Sequence, residues 1–314
     1  MLRYTLRSLA LLVPALLLAH FFGYAYAHLI APLHAARNPL YATAFTREPL
    51  FASYASYLSQ APSAGLGALP GSREGESLAS ALASAALNSL GLLAIATALS
   101  VALGLGLGLL AVRNNPPRIA PWLTAMSTLG LATPTFYFGV LGVTFVIMWL
   151  IWMPGQTLLL PLDGHGWDRH LVLPVIALML RPTAQIAQMT AGMMVTELGR
   201  QYVVTARSFG VTERQIAQRV ALRNALPAVV STIAGSLRLA ASELVVVETL
   251  FLWPGLGRLM GLALIPSNSS VAGESALFLS PPVLGAALAL FAALFLLVNL
   301  ASGLAIRALD PRLR

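Results

Sequence analysis

The sequence predicts an all-α integral membrane protein of about six transmembrane helices, and three observations predict it. Only 10% of the 314 residues are charged and 58% are hydrophobic, with mean hydropathy +0.79. A soluble domain carries roughly 25% charge, so this chain has too little to cover a water-facing surface. Several apolar stretches reach the roughly 20 residues a helix needs to cross a bilayer. Finally, arginine gathers in the short segments between those stretches, as it does in cytoplasmic loops.

The first span covers about 9–30, after Arg3 and Arg7. Ala25-Tyr26-Ala27 resembles a signal-peptidase site, but the stretch is long for a cleaved leader and is expected to stay as a span. Residues 31–77 hold Pro32, Pro39, Pro49, Pro62 and Pro70 and form an external loop with a short helix around 49–60. Span two is about 80–112. Its Gly104 and Gly108 form a small-xxx-small pair suited to close helix approach. Arg113 to Arg118 make a short turn. Span three, about 121–152, is interrupted at Pro134, and a second external loop follows at 153–170. Span four is about 171–195 and span five about 227–252, with a polar segment between them. A third external loop covers 253–281, and span six about 282–304. The division expected is 1–80, a first helix and external loop, then 81–314, a transmembrane domain.

Six spans put both termini on one side. That side holds Arg3, Arg7, Arg113, Arg118, Arg200, Arg207, Arg214, Arg219, Arg223, Arg307, Arg312 and Arg314. The other holds Arg37, Arg47, Arg73, Arg169 and Arg258. The excess places both termini in the cytoplasm. The same distribution explains a pI near 10.6 without nucleic-acid binding. There is no cysteine, so no disulfide or thiolate chemistry. There is no lysine either, and a phosphate-binding P-loop needs one. Any ATP-driven step therefore belongs to another polypeptide. His165 and His170 share a loop, but no third ligand stands at metal-site spacing. An intramembrane enzyme would need paired catalytic carboxylates on one span, an H-E-x-x-H helix or a serine-histidine pair at depth, and the sequence offers none of these.

The informative stretch is 197–227. Up to Phe209 it has a helical pattern, and Gly210 suits the left-handed position that ends a helix. Thr212 opens a second helix, with Gln215 at capping-box spacing. Ile216, Val220 and Leu222 give this helix an apolar face, and Arg214, Arg219 and Arg223 a basic one. The result is a helix-turn-helix elbow between two spans, suited to docking a soluble partner.

This elbow resembles the EAA loop of ABC importer permeases in the dipeptide, oligopeptide and nickel family. The matching residues are Tyr202-Val203, Thr205-Ala206-Arg207, Gly210 and Ala221-Leu222-Arg223-Asn224-Ala225-Leu226. Leu171-Val172-Leu173-Pro174, Pro134-Thr135-Phe136 with Gly139, the run Val246 to Arg258 and the closing Leu309-Asp310-Pro311-Arg312 resemble other parts of the family pattern. The likeness runs in order over nearly all the chain beyond residue 80. Departures are Gln201 for an acidic residue, Phe209 for lysine, Val220 for histidine, Gln188 and Ala191 for arginines, and Ala31-Pro32-Leu33-His34 for a Pro-Gly-Asp motif. They bear on the substrate and on the matching ATPase.

The resemblance implies a type I importer permease that passes di- or oligopeptides by alternating access. Its partners would be a second, related permease, two ATP-binding subunits carrying ATP and Mg, an external solute-binding protein and the lipid membrane. It would itself hold no cofactor and catalyse nothing. Nickel or another metal chelate is an alternative cargo, and a carrier or channel needing no ATP is an alternative class. On this resemblance Tyr202, Thr205, Ala206, Arg207, Gly210, Arg223 and Asn224 couple to the ATPase. Glu243, Glu248 and Arg238 lie in or near span five, where charge is expensive. They line the path or meet the partner permease, or Glu248 is simply hydrated near the external interface. Arg238 and Glu243 sit about 140° apart on a helix, so no pair within the helix is expected. Trp253 is either an interfacial anchor or part of a gate.

Overall fold

The computed structural model describes residues 2–37, 48–72, 76–114, 116–153, 160–266 and 274–309. Arg47, Arg73 and the Asp310-Pro311-Arg312 segment lie outside them. Among the described residues, six helices are long and apolar enough to cross a membrane: Leu9–Arg37, Leu78–Leu110, Thr135–Trp152, Arg169–Leu198, Glu213–Leu250 and Pro281–Arg307.

In chain order, α1 (Leu2–Arg37) packs lengthwise on the last helix, and α2 (Leu50–Gln60) lies against α1 through aromatic rings. Tyr24 of α1 donates to or accepts from Ser53 at 2.8 Å, and His20 stacks on Tyr57 with centroids 5.6 Å apart. Next comes α3 (Leu78–Leu110), capped by Ser77, whose side chain accepts from the Ser80 amide. The segment expected as a simple turn after it is instead a hairpin of β1 (Val112–Asn114) and β2 (Pro117–Ile119). The interrupted third span appears as α4 (Pro121–Ala132) and α5 (Thr135–Trp152), broken at Thr133 and Pro134. Proline disfavours helical geometry in the residue before it.

The fourth span is α6 (Val172–Leu198), entered through a single 3₁₀ turn at Arg169–Leu171. Two short helices, α7 (Gln201–Ser208) and α8 (Glu213–Gln215), follow. A π-helical stretch at Ile216–Ala221 then leads directly into α9 (Leu222–Leu250). This corrects two expectations. The first elbow helix is separated from α6 at Gly199 and Arg200. The fifth span does not begin at Pro227, because the helix runs through that proline. Membrane helices tolerate an interior proline where neighbours re-satisfy the freed groups. The loop expected at 253–281 contains α10 (Leu256–Leu264) and α11 (Glu274–Leu277). Finally, α12 (Pro281–Leu309) completes the fold.

The core lies where α3, α6, α9, α10 and α12 meet, around Leu92, Leu178, Leu244, Val247 and Leu284. Glycine sets the closest approaches. A Cβ on Gly104 would stand 2.8 Å from Ile186 Cβ, and one on Gly108 would stand 2.7 Å from the Ala187 carbonyl oxygen. The small-xxx-small pair of span two therefore seats α3 directly on α6. On Gly106 a Cβ meets nothing, so only the two residues facing α6 need to be small.

Candidate coupling elbow and charges at membrane depth

The elbow has a small core of its own. Met194, Leu198, Val203, Ile216, Ala221 and Ala225 are buried together, with Tyr202 and Ala206 packed against them. The turn between its helices follows local chemistry. Gly210 has φ +77°, a backbone region open to glycine, and a Cβ there would touch nothing. Conformation alone selects that residue. Thr212 caps α8 with its side chain accepting from the Gln215 amide, and Gln215 returns the bond to the Thr212 amide.

Two polar links lock the turn. Arg207 Nε donates to Glu213 Oε1 at 2.7 Å and Nη2 to Oε2 at 3.1 Å, a two-pronged fork across Gly210. The hydrogen bond to Glu213 pushes the Arg207 guanidinium further above its usual range. On the other side, the Tyr202 hydroxyl donates to Glu197 Oε2 at 2.7 Å, and Asn224 Nδ2 donates to Tyr202 Oη at 3.2 Å. Burial first, then that bond to Glu197, raises the Tyr202 phenol above its ordinary value. Glu197, Tyr202 and Asn224 thus join the end of α6, the start of α7 and the start of α9. Thr205 and Arg223 are exposed, and Ala206 accepts from the Val211 amide through its carbonyl.

Sequence reasoning gave Glu197 no role, since its partners are five and 27 residues away. It also noted Phe209 only as a departure from the family pattern. Phe209 is 82% exposed, and Val204, Val211, Arg214, Arg219 and Arg223 of the elbow are exposed as well. An aromatic ring left exposed at a turn, on an elbow that also exposes valines and arginines, has the make-up of an interaction anchor.

The charges within the spans fall into three separate settings. Glu243 accepts from Thr135 Oγ1 at 2.6 Å and from Arg181 Nη1 at 3.1 Å. That bridge ties α5, α6 and α9 together at the break in the third span. Arg238 donates to Asn299 Oδ1 of α12 at 2.7 Å. As expected, Arg238 and Glu243 do not pair with each other.

Glu248 is fully enclosed and faces neither open space nor the chain's surface. Ser89 Oγ of α3 donates to its Oε1 at 2.6 Å, and the Gly257 and Arg258 amides donate to Oε2 at 2.7 and 3.3 Å. Those amides open α10, where a carboxylate compensates the exposed N–H groups and the helix dipole. Leu256 in turn donates its amide to Ser89 Oγ at 2.8 Å. A Cβ on Gly255 would fall against the Glu248 carboxylate, and one on Gly257 against the α9 backbone at Val245. Leu252 has φ +52°, a strained region for a bulky side chain. The turn from Leu252 to Arg258 is thus pinned to α3 and α9 by one carboxylate. Trp253 is also fully buried rather than set at a surface. Its Nε1 donates to the Asn88 carbonyl at 3.3 Å, and its ring packs against His165 and Trp167 at 4.8 and 5.7 Å. In the same loop Asp168 bonds His170 Nδ1 at 2.6 Å. Side-chain and backbone bonds from His170 hold that exposed carboxyl below its usual value.

A family model described as binding-protein-dependent transport system inner membrane component matches residues 100–314. A protein of Brucella abortus (strain 2308) named for a peptide transport system permease is 33% identical over 191 residues, 60% of this chain and 57% of that one. An oligopeptide transport system permease protein of Bacillus subtilis (strain 168) is 29% identical over 229 residues, 72% of this chain and 69% of that one. The match thus spans little more than half of the Brucella relative's length. Among solved structures, a chain of the MetNI methionine ABC transporter in an inward-facing conformation gives a TM-score of 0.56. It covers 73% of this chain and 96% of that one at 18% identity, a likeness of fold.

Proposed function

Because the chain belongs to the family of binding-protein-dependent transport system inner membrane components, we propose that it is the permease subunit of an ATP-driven importer that passes small peptides across the cytoplasmic membrane. The observation that carries this is the elbow: two short helices, locked by the Arg207–Glu213 fork and the Glu197–Tyr202–Asn224 links, presenting Phe209 outward. A rigid projection of this kind can transmit the movement of a docked subunit into α6 and α9, because it is hydrogen-bonded to both. The peptide cargo is supported by the names of the Brucella and Bacillus relatives.

In this account both termini and the elbow face the cytoplasm, as the arginine distribution indicates. Two ATP-binding subunits, carrying ATP and Mg, dock on the elbows of this chain and of a second, related permease. An external binding protein delivers the peptide. Closure of the ATP-binding pair draws the elbows together and turns the permeases outward, a rigid-body switch. Thr205, Ala206, Gly210 and Arg223 shape or rim the docking surface. Glu248 and Trp253 hold the far end of α9 as one unit with α10, so that α9 moves without losing its exit turn.

The test is Arg207→Glu in the purified complex. It sets two carboxylates against each other across Gly210 while leaving the spans intact. The chain is expected to insert normally, while ATP hydrolysis loses its dependence on substrate-loaded binding protein. The exchange Arg207→Glu with Glu213→Arg restores part of the coupling. Coupled transport unchanged in the single variant would remove the elbow from the mechanism.

A further inference from the structure

Arg238 is a charge without a counter-charge. It stands midway along α9, about 24 Å from the start of that helix and about 18 Å from its end at 1.5 Å per residue. Arg181, deep in α6, is matched by Glu243. Arg238 instead donates to Asn299, a neutral amide, and among the described residues no carboxylate lies within ion-pair distance of it. Asn299 thus fixes the side chain through one N–H and leaves its charge and its other donors in place.

The face of α9 around Arg238 is polar from end to end. Asn224, Ser231, Arg238, Ser242 and Thr249 fall within about 40° of one another at about 100° per residue. Arg238 is part-exposed and the other four are exposed. An uncompensated charge on a polar face is expensive against acyl chains and ordinarily turns to a water-filled cavity or a partner.

We propose that this face of α9 borders the translocation path and that Arg238 receives the carboxylate of the solute in transit. The inference rests on the importer reading and narrows its cargo to solutes that carry a carboxylate, as an unmodified peptide does. Guanidinium is suited to this because its planar fork matches a carboxylate. A site used in transit must also release its ion, and one arginine already engaged by Asn299 offers a shallow hold.

The chain has no cysteine, so Ser242→Cys gives it a single thiol one turn from Arg238. In the purified complex in lipid, two water-soluble thiosulfonates are compared, one bearing a sulfonate and one a trimethylammonium. Their rates are normalised to a free thiol. The introduced thiol is expected to react with both, the anion being favoured about tenfold by the neighbouring charge. Arg238→Gln brings the ratio close to one, and Arg238→Lys keeps it. A thiol unreactive with and without ATP and vanadate overturns the proposal, because the face is then sealed by lipid or by packing against the second permease. An unchanged ratio in Arg238→Gln also overturns it. If the ratio follows Arg238 but ATP and vanadate never alter the rates, the charge site stands and the ATP-driven reading fails.

Discussion

Replacing Glu248 with alanine is expected to cost about 3 kcal/mol or more, because a buried acceptor vanishes while its donors remain. Ser89 Oγ and the Gly257 and Arg258 amides would lose their partner, in a place that water does not reach. The neighbouring geometry gives no easy relaxation. The same turn holds Leu252 at φ +52° and brings the Gly257 Cα against α9. Glu248→Gln keeps one acceptor oxygen and is expected to lose about half as much. Thermal unfolding of the detergent-purified complex measures the order wild type, Gln, Ala. Amide exchange at residues 256–258 should rise first, since those N–H groups open α10. An alanine variant as stable as the wild type would mean that the carboxylate is not the brace.

Phe209→Ala is expected to weaken binding of the ATP-binding subunit by roughly 30-fold or more, the range of an aromatic anchor at the centre of an interface. The ring is 82% exposed in the isolated chain and contributes nothing to the elbow's own core, so folding and insertion should be unaffected. Val204→Ala, a smaller exposed apolar residue of the same helix, is expected to cost much less. The check is the concentration of ATP-binding subunit needed for half-maximal recovery of the complex. Equal affinities for Phe209→Ala and wild type would shift the docking role to the basic rim of Arg214, Arg219 and Arg223.

Much of the architecture is legible in the sequence because lipid simplifies the problem. Apolar length finds the six spans, and proline at 134 marks the break between α4 and α5. The elbow turn is legible for a different reason. Gly210, Thr212 and Gln215 act on their immediate neighbours, so a left-handed glycine and a capping box can be read from spacing alone. The contacts missed join distant residues. Glu248 meets Ser89 across 159 positions and Glu243 meets Thr135 across 108, and no local pattern encodes such a pair. The burial of Trp253 was hidden likewise, since it depends on Asn88, His165 and Trp167. Pro227 misled in the other direction. Taken as the start of a span, it lies inside one continuous helix that begins in the elbow. That continuity matters for the proposed mechanism, because the second helix of the elbow and the polar face of α9 then belong to one continuous helical stretch.

The most direct measurement of the central claim is affinity purification of this chain from its native membrane in mild detergent, with every co-purifying polypeptide identified and the preparation assayed for ATP-dependent uptake. The account predicts a second permease and P-loop ATP-binding subunits in the preparation, with the ATP-binding subunits alone depleted on Phe209→Ala, and uptake that requires ATP. Recovery of this chain alone, active in proteoliposomes without ATP, would contradict it.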